Sequence, residues 1–363
     1  MEKIFKTTLA GREVVVETGK LAGLANGSAL VRYGDTVVLT TATASAKPRD
    51  GIDFFPLSVD FEEKLYAVGK IPGSFMKREG KPSEKAILAS RAIDRPLRPL
   101  FPKDLRNDVS IVSTVMSVEQ DNSPEIAAML GAAIAIEISD IPFNGPVASV
   151  YVGIVDDEII INPSVEEREK STLNLLVAAS MEKIVMIEAG AKEVPEDKML
   201  EAILTAHDHI KELCKFIKSI GEEIGKTKFT YESCDVDAEL YNSIKAFAIE
   251  KIRFAMDTDN KLVRDERMLE VENEIFEHFG EELEDREAEV AEVLYKLQKY
   301  VVRTWLIEDG KRVDGRGIDE IRPLAAEVSL LPRTHGSGLF TRGQTQVLTV
   351  ATLAPAAEAQ KID

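Results

Sequence analysis

Ten cations fall between residues 70 and 106 (Lys70, Lys77, Arg78, Lys81, Lys85, Arg91, Arg95, Arg98, Lys103 and Arg106), against four carboxylates in the same stretch. Ile71-Pro72-Gly73-Ser74 on one side and Gly80-Lys81-Pro82 on the other bracket Phe75, Met76, Lys77 and Arg78 as a loop, which presents two apolar side chains and two cations at one tip. Single-stranded nucleic acid suits that pairing. An aromatic or sulfur-bearing side chain offers a base something to stack on, and Lys or Arg takes the phosphate; a plain solvent-facing loop is the other reading. Ser83 to Asp94 then predicts a short helix ended by Pro96, with Arg91 and Arg95 four residues apart on one face and Arg98 just beyond. These three arginines either face RNA or bond to carbonyls and to Asp94, and both readings stay open.

Other chemistry is poorly served. Gly221 to Thr227 (GEEIGKT) resembles a phosphate loop, but its first glycine is one residue too close and a helical pattern precedes it. Gly336-Ser337-Gly338 lacks the third glycine of a dinucleotide fingerprint. On a helix His207 and His209 point about 200° apart, and His278 and His335 stand alone, so no zinc site is expected. Cys214 and Cys234 form neither a redox pair nor a disulfide framework, which fits a reducing cytosol, and neither has a nucleophile's context.

The elements that must position these residues are legible in outline. Val14 to Thr18, Ala29 to Arg32 and Thr36 to Thr43 read as meander strands, the last two joined by a Tyr33-Gly34-Asp35 turn. Val109 to Val118 alternates like a half-buried strand, and Ser123-Pro124-Glu125 opens a small-residue helix through Ile138, with Ser123 as N-cap. Val147 to Val155 and Glu158 to Ile161 flank Asp156-Asp157 as a hairpin. Strands at Leu173 to Ala178 and Ile184 to Glu188 precede a long helix bearing Met199, Ile203, Ala206, Ile210, Leu213, Ile217 and Ile220. Between residues 232 and 298, 20 acidic side chains face 8 basic ones, with apolar stripes at helical spacing: Tyr241, Ile244, Ala248, Ile252 and Ala255, then Val290, Leu294, Leu297, Val301 and Trp305. The charge there reads as a solvated helix face.

The chain also repeats itself. Asn26 to Thr43 (NGSALVRYGDTVVLTTAT) and His335 to Thr352 (HGSGLFTRGQTQVLTVAT) share ten identities in eighteen positions, which implies two copies of one domain around an inserted helical one. The second copy stops at Lys361-Ile362-Asp363, where the first has Gly51-Ile52-Asp53 and continues, so the sequence reads as a fragment. The expected division is a first layered domain over 1–220, an acidic all-α domain over 221–309 and the beginning of a second layered domain over 310–363.

Net charge is −18 over 363 residues, yet residues 1–110 carry 18 cations and 14 carboxylates, so a polyanion should meet that part. With 44% hydrophobic residues each domain can close a core. No run of about 18 apolar residues occurs and the start lacks an apolar signal region, so a cytoplasmic protein without membrane contact is expected.

Four motifs carry a resemblance: GSFMKREGKPSE (Gly73 to Glu84), RAIDRPLRPLF (Arg91 to Phe101), DNSPE (Asp121 to Glu125), and KRVDGR (Lys311 to Arg316) with IRP (Ile321 to Pro323). Together with the FTRG turn at Phe340 to Gly343, they make the whole chain resemble the polynucleotide phosphorylases, exoribonucleases built from two ribonuclease PH-type domains around a helical insert. The resemblance implies an α+β fold of that type and a homotrimeric ring whose channel admits single-stranded RNA. It implies phosphorolysis from the 3′ end to nucleoside diphosphates in mRNA turnover, with inorganic phosphate as co-substrate, Mg2+ as metal, and a possible RNA-degradation assembly. Residues 75–78 correspond to the family's aperture loop, where two aromatics and two arginines are common; Phe75, Met76, Lys77 and Arg78 keep the charge but weaken the stacking and remove one guanidinium fork. The RNA-binding candidates are thus Phe75, Met76, Lys77, Arg78, Arg91, Arg95 and Arg98, with Arg342 of the FTRG turn as candidate cleft residue. The catalytic residues and metal ligands are expected beyond Asp363, none being assigned in this chain, which alone is expected to be inactive. Two other classes compete: a non-catalytic RNA-binding or assembly half of such a ring, and a globular protein that offers its basic stretch to an acidic partner.

Overall fold

The computed structural model describes residues 2–49, 51–52, 54–73, 75, 77–233, 235–283 and 285–358. They form two compact units that divide after residue 234.

The first unit begins as an antiparallel meander of β1 (Lys3–Leu9), β2 (Arg12–Thr18), β3 (Gly27–Tyr33) and β4 (Thr36–Ala44). β5 (Leu57–Glu63) and β6 (Val109–Ser117) complete a six-stranded sheet in the order β1-β2-β3-β4-β6-β5, in which β5 and β6 run parallel. A parallel pair needs a long crossover, and this one carries the cationic loop and α1 (Glu84–Leu97). Next come α2 (Pro124–Ile138), β7 (Ala148–Val155), β8 (Glu158–Ile161), α3 (Val165–Lys170), β9 (Leu173–Ala179) and β10 (Ile184–Ala191). Their strands make a second, antiparallel sheet ordered β10-β9-β7-β8, and α4 (Glu196–Ile224) packs on β7 and β9. The expected hairpin is present, with Asp156 and Asp157 both at positive φ between β7 and β8, as a two-residue turn matching strand twist requires.

α2 is the axle of this unit. It packs on β3, β4 and β6 of one sheet, on β7 of the other, and on α4. Ile126 to Ile136 are all buried, the pattern of a helix that is apolar all round because it lies inside. Two glycines permit the close approach. A Cβ on Gly27 would stand 2.0 Å from the Ala135 carbonyl oxygen, and one on Gly131 2.7 Å from Thr40 Oγ1.

Several expectations are corrected here. β1 and β5 escaped the sequence pattern. Pro96 does not end α1, which runs through Leu97 into a 3-10 turn over Arg98–Leu100; a proline in the last turn removes one hydrogen bond, while the Arg98 amide still donates to Asp94. Ser123 flanks α2, but its hydroxyl donates to the Glu125 carboxylate instead of capping an amide. The expected boundary at 220 falls inside α4, and the chain beyond is stitched to the first unit. Lys228 donates to the Ile136, Glu137 and Ser139 carbonyls, and Tyr231 and Ser233 donate to Asp104.

The second unit holds α5 (Ala238–Met256), α6 (Lys261–Phe279) and α7 (Glu287–Thr304), followed by a π-helical turn over Trp305–Asp309. Ile244, Ala248, Ile252 and Ala255 of one stripe and Val290, Leu294, Leu297 and Val301 of the other are buried in its own core, with Tyr241 and Trp305 packed at the margin. The same unit contains a three-stranded antiparallel sheet of β11 (Leu324–Val328), β12 (Gly336–Arg342) and β13 (Thr345–Ala351). The internal repeat is reproduced in register. Gly336 pairs with Ala351 and Arg342 with Thr345, just as Gly27 pairs with Ala42 and Tyr33 with Thr36.

Candidate nucleic-acid interface

The loop over residues 70–82 springs from a 3-10 turn, Leu65–Val68, that Gly69 closes at φ 71°. Its far end is tied back by Glu79, whose carboxylate accepts from the Leu65 amide at 3.1 Å. Between these anchors Phe75 is fully exposed, so no core claims its ring. Lys77 takes a left-handed φ of 51°, and Lys77 and Arg78 are exposed, with no ion pair among the described residues. Met76, the fourth expected contact, lies outside the described residues. The tip therefore offers one free ring and two free cations.

The three arginines of the neighbouring helix part company. α1 starts at Ser83, whose Oγ accepts from the Ala86 amide at 3.0 Å, and buries Ala86, Ala89, Ala92, Ile93 and Leu97. Its other face carries the guanidiniums. Arg98 donates Nε and Nη2 to the two Asp94 oxygens at 3.1 and 2.8 Å, and further to the Leu57 and Phe55 carbonyls. It clamps the start of β5 to the end of α1, the structural alternative left open above. Arg95 reaches Glu188 at 2.9 Å in an exposed pair, which contributes little and is easily exchanged. Arg91 is exposed and makes no hydrogen bond or ion pair among the described residues.

A cavity of about 710 Å³ opens beside the first turn of α2, lined by Lys64, Lys85, Glu119, Glu125, Tyr151 and Arg168 among others. No motif announced it, since its residues come from six separate stretches of sequence. A helix N-terminus attracts anions, and here Glu125, in the first turn, supplies one. Glu125 is 9% exposed, and its carboxylate accepts from Ser123 and pairs with Lys85 at 3.3 Å. A phosphate entering this end of α2 would meet a carboxylate already in place. Burial pushes the Tyr151 hydroxyl up, keeping it protonated.

Cys214 and three of the four histidines have partners within the fold. Burial pushes the Cys214 thiol up to about 12, which removes its nucleophilic form; Cys234 lies outside the described residues. His207 Nε2 is 3.1 Å from the Ser180 carbonyl, His278 stacks on Phe247, and His335 Nδ1 accepts from the Leu353 amide at 2.9 Å. Among the described residues no group of three His, Cys, Asp or Glu is placed to hold a metal ion, and no helix is long and apolar enough to cross a membrane.

Arg342 ends β12, exposed and unpaired among the described residues. Tyr33 holds its place in the first copy, 1% exposed, its hydroxyl donating to the Leu9 carbonyl and accepting from Asn162. The first copy's arginine is displaced by one, and Arg32 pairs with Glu17 on the outer face at 2.6 Å. A shift of one residue on a strand is a change of face.

Comparison with known proteins accords with this architecture. The 3′ exoribonuclease family, domain 1, matches residues 10–142, and its domain 2 matches 145–209. The chain belongs to the 3′ exoribonuclease family. The polyribonucleotide nucleotidyltransferase RNA binding domain matches residues 239–317, which places the chain within the polyribonucleotide nucleotidyltransferase branch. Polyribonucleotide nucleotidyltransferases of Ruminiclostridium cellulolyticum, Caldicellulosiruptor saccharolyticus and Clostridioides difficile are 61%, 56% and 54% identical to it, over 100%, 99% and 99% of this chain and 52% of each relative. The chain thus spans about half the length of the curated relatives it matches. The crystal structure of rice (Oryza sativa) Rrp46 aligns with a TM-score of 0.46 and 14% identity, covering 61% of this chain and 94% of that one.

Proposed function

We propose that this chain is part of a 3′-to-5′ exoribonuclease that degrades single-stranded RNA by phosphorolysis and runs in reverse as a polymerase. The observation that carries this reading is 61% identity, along the whole chain, to a polyribonucleotide nucleotidyltransferase. In that reaction an oxygen of inorganic phosphate attacks the phosphorus of the 3′-terminal phosphodiester. The bond from phosphorus to the neighbouring 3′ oxygen breaks, that oxygen takes a proton, and a nucleoside diphosphate leaves. Bringing phosphate against a polyanion requires cations aimed at the developing charge. Phe75, Met76, Lys77, Arg78, Arg91 and Arg95 would hold the strand, Arg98 would position α1, and Arg342 would stand in the cleft of the second copy, which β11 to β13 begin.

Mg2+ is the metal such chemistry calls for, with its ligands expected elsewhere in the whole protein. A homotrimer in the cytoplasm, with three cationic loops around one RNA strand and a role in an RNA-degradation assembly, completes the reading. A second reading, a non-catalytic RNA-binding and assembly half, is favoured by Glu125, which fills the anion position of α2. Poly(A), inorganic phosphate and magnesium separate the two. A protein extended to the length of its relatives should release ADP, and the 363-residue chain should not. No release from the extended protein would refute phosphorolysis. Release from the short chain that survives repurification and disappears with Arg91→Ala would move catalysis into the first copy.

A further inference from the structure

Although carboxylates dominate the helical part of the second unit, its cations converge. Arg312, Arg316, Arg322 and Arg342 line one recess of about 350 Å³. It shares the first three with an adjoining recess of about 850 Å³, to which Lys261 and Arg264 at the start of α6 contribute. The carboxylates Asp259, Asp314, Asp319 and Glu320 line the two recesses as well, so cations prevail six to four.

The six cations fall into two groups. Arg312 and Arg316 are fixed: Arg312 donates to the Ile318 carbonyl at 2.6 Å, while Arg316 donates to the Glu320 carbonyl at 2.7 Å and to Asp314 at 2.9 Å. Arg322 has a longer pairing, 3.7 Å from Asp314, and Arg342, Arg264 and Lys261 have no side-chain partner among the described residues. The backbone sets two of them close. Arg342 pairs across the sheet with Leu324, two residues after Arg322, and the Gly343 amide donates to the Pro323 carbonyl at 2.9 Å. Asp314 offsets part of the charge of Arg316 and Arg322, which leaves Arg342, Arg264 and Lys261 without a side-chain counter-charge among the described residues, and planar guanidinium forks match phosphate oxygens. The recess sizes suit a nucleotide.

We propose that this arginine recess binds the phosphate groups of a nucleotide, either in a single RNA strand or in a free nucleoside diphosphate. The choice of ligand rests on the function proposed above; the site itself rests on the recess. The test is equilibrium binding of ADP and of a short oligoadenylate to the 363-residue chain at low salt. Arg342→Ala should weaken binding of at least one ligand about tenfold, as expected for one lost charge-assisted fork. Arg342→Lys should recover only part, because lysine keeps the charge and lacks the fork. Arg264→Ala, on the facing helix, should act in the same direction. Loss for both ligands assigns phosphate from either source, loss for the oligonucleotide alone assigns the RNA backbone, and loss for ADP alone assigns the free nucleotide. The proposal is overturned if Arg342→Ala leaves both affinities unchanged, or if the unaltered chain binds neither. Lys170→Ala, in the first unit and paired only with Glu166 among the described residues, should leave ADP binding untouched. A failure of phosphorolysis in the extended protein would not alter these binding constants, so the two ideas fail separately.

Discussion

Strands β3 and β4 and strands β12 and β13 share sequence, turn and register, yet among the described residues the first pair is covered and the second is not. Val31 and Val38 are both 0% exposed, while their counterparts Phe340 and Val347 are 48% and 57% exposed. The difference is α2, which covers β3 and β4; no helix packs on β12 and β13 among the described residues. A meander is therefore specified by its own alternation and turn residues, and its burial by a helix encoded about 90 residues later. The same contrast separates the arginines. In the first copy the inward position is taken by Tyr33 and the arginine is paired outside, whereas in the second Arg342 holds that position and has no side-chain partner among the described residues.

Substitutions at equivalent positions should expose this contrast most sharply. Tyr33→Ala should destabilise the first unit by about 3–5 kcal/mol, the usual cost of truncating a buried aromatic, whereas Arg342→Ala should stay within about 0.5 kcal/mol. Urea unfolding followed by hydrogen exchange in each unit reads both, and equal effects would mean that the copies are packed alike. A smaller effect is expected at the paired glycines. Gly27→Ala forces a Cβ to 2.0 Å from a backbone oxygen, whereas at Gly336 the nearest atom is 3.5 Å away. The first should cost about 1–3 kcal/mol and the second less than about 0.5 kcal/mol, measured as shifts in the urea midpoint.

Within α1 the expected difference is smaller still. Arg98→Ala should cost about 1 kcal/mol, since its hydrogen bonds to Asp94 and two carbonyls are half exposed and screened. Arg91→Ala should leave stability unchanged and weaken oligoadenylate binding. The reverse pattern would exchange the roles assigned to the two residues.

The strands and helices that were legible in the sequence are those with one-sided burial or clear punctuation. β7 and β8 were marked by Asp156-Asp157, and α5 and α7 by apolar stripes. β5 was hidden because LSVDFEE, at the sheet edge, looks like loop continuation, and β1 because Lys3 sits on its inward side and Ile4 on its outward side, which breaks the alternation. Arg91, Arg95 and Arg98 look equivalent in sequence, since spacing says which share a face but not which carboxylate or carbonyl will face them. Phe75, Lys77 and Arg78 were readable because prolines and glycines isolate them. The Glu125 cavity was not, because it is assembled from β5, α1, β6, α2, β7, α3 and β9 by the fold itself.

The central claim is that the first copy meets RNA through its exposed loop and not through the closed N-terminus of α2. The most direct measurement is the salt dependence of oligoadenylate binding to the unaltered chain and to Arg78→Ala. Losing one phosphate contact on a single strand should reduce the slope of log K against log salt by about 0.7, with affinity falling similarly for other sequences. An unchanged slope would contradict the claim and leave the loop as solvent-facing chain.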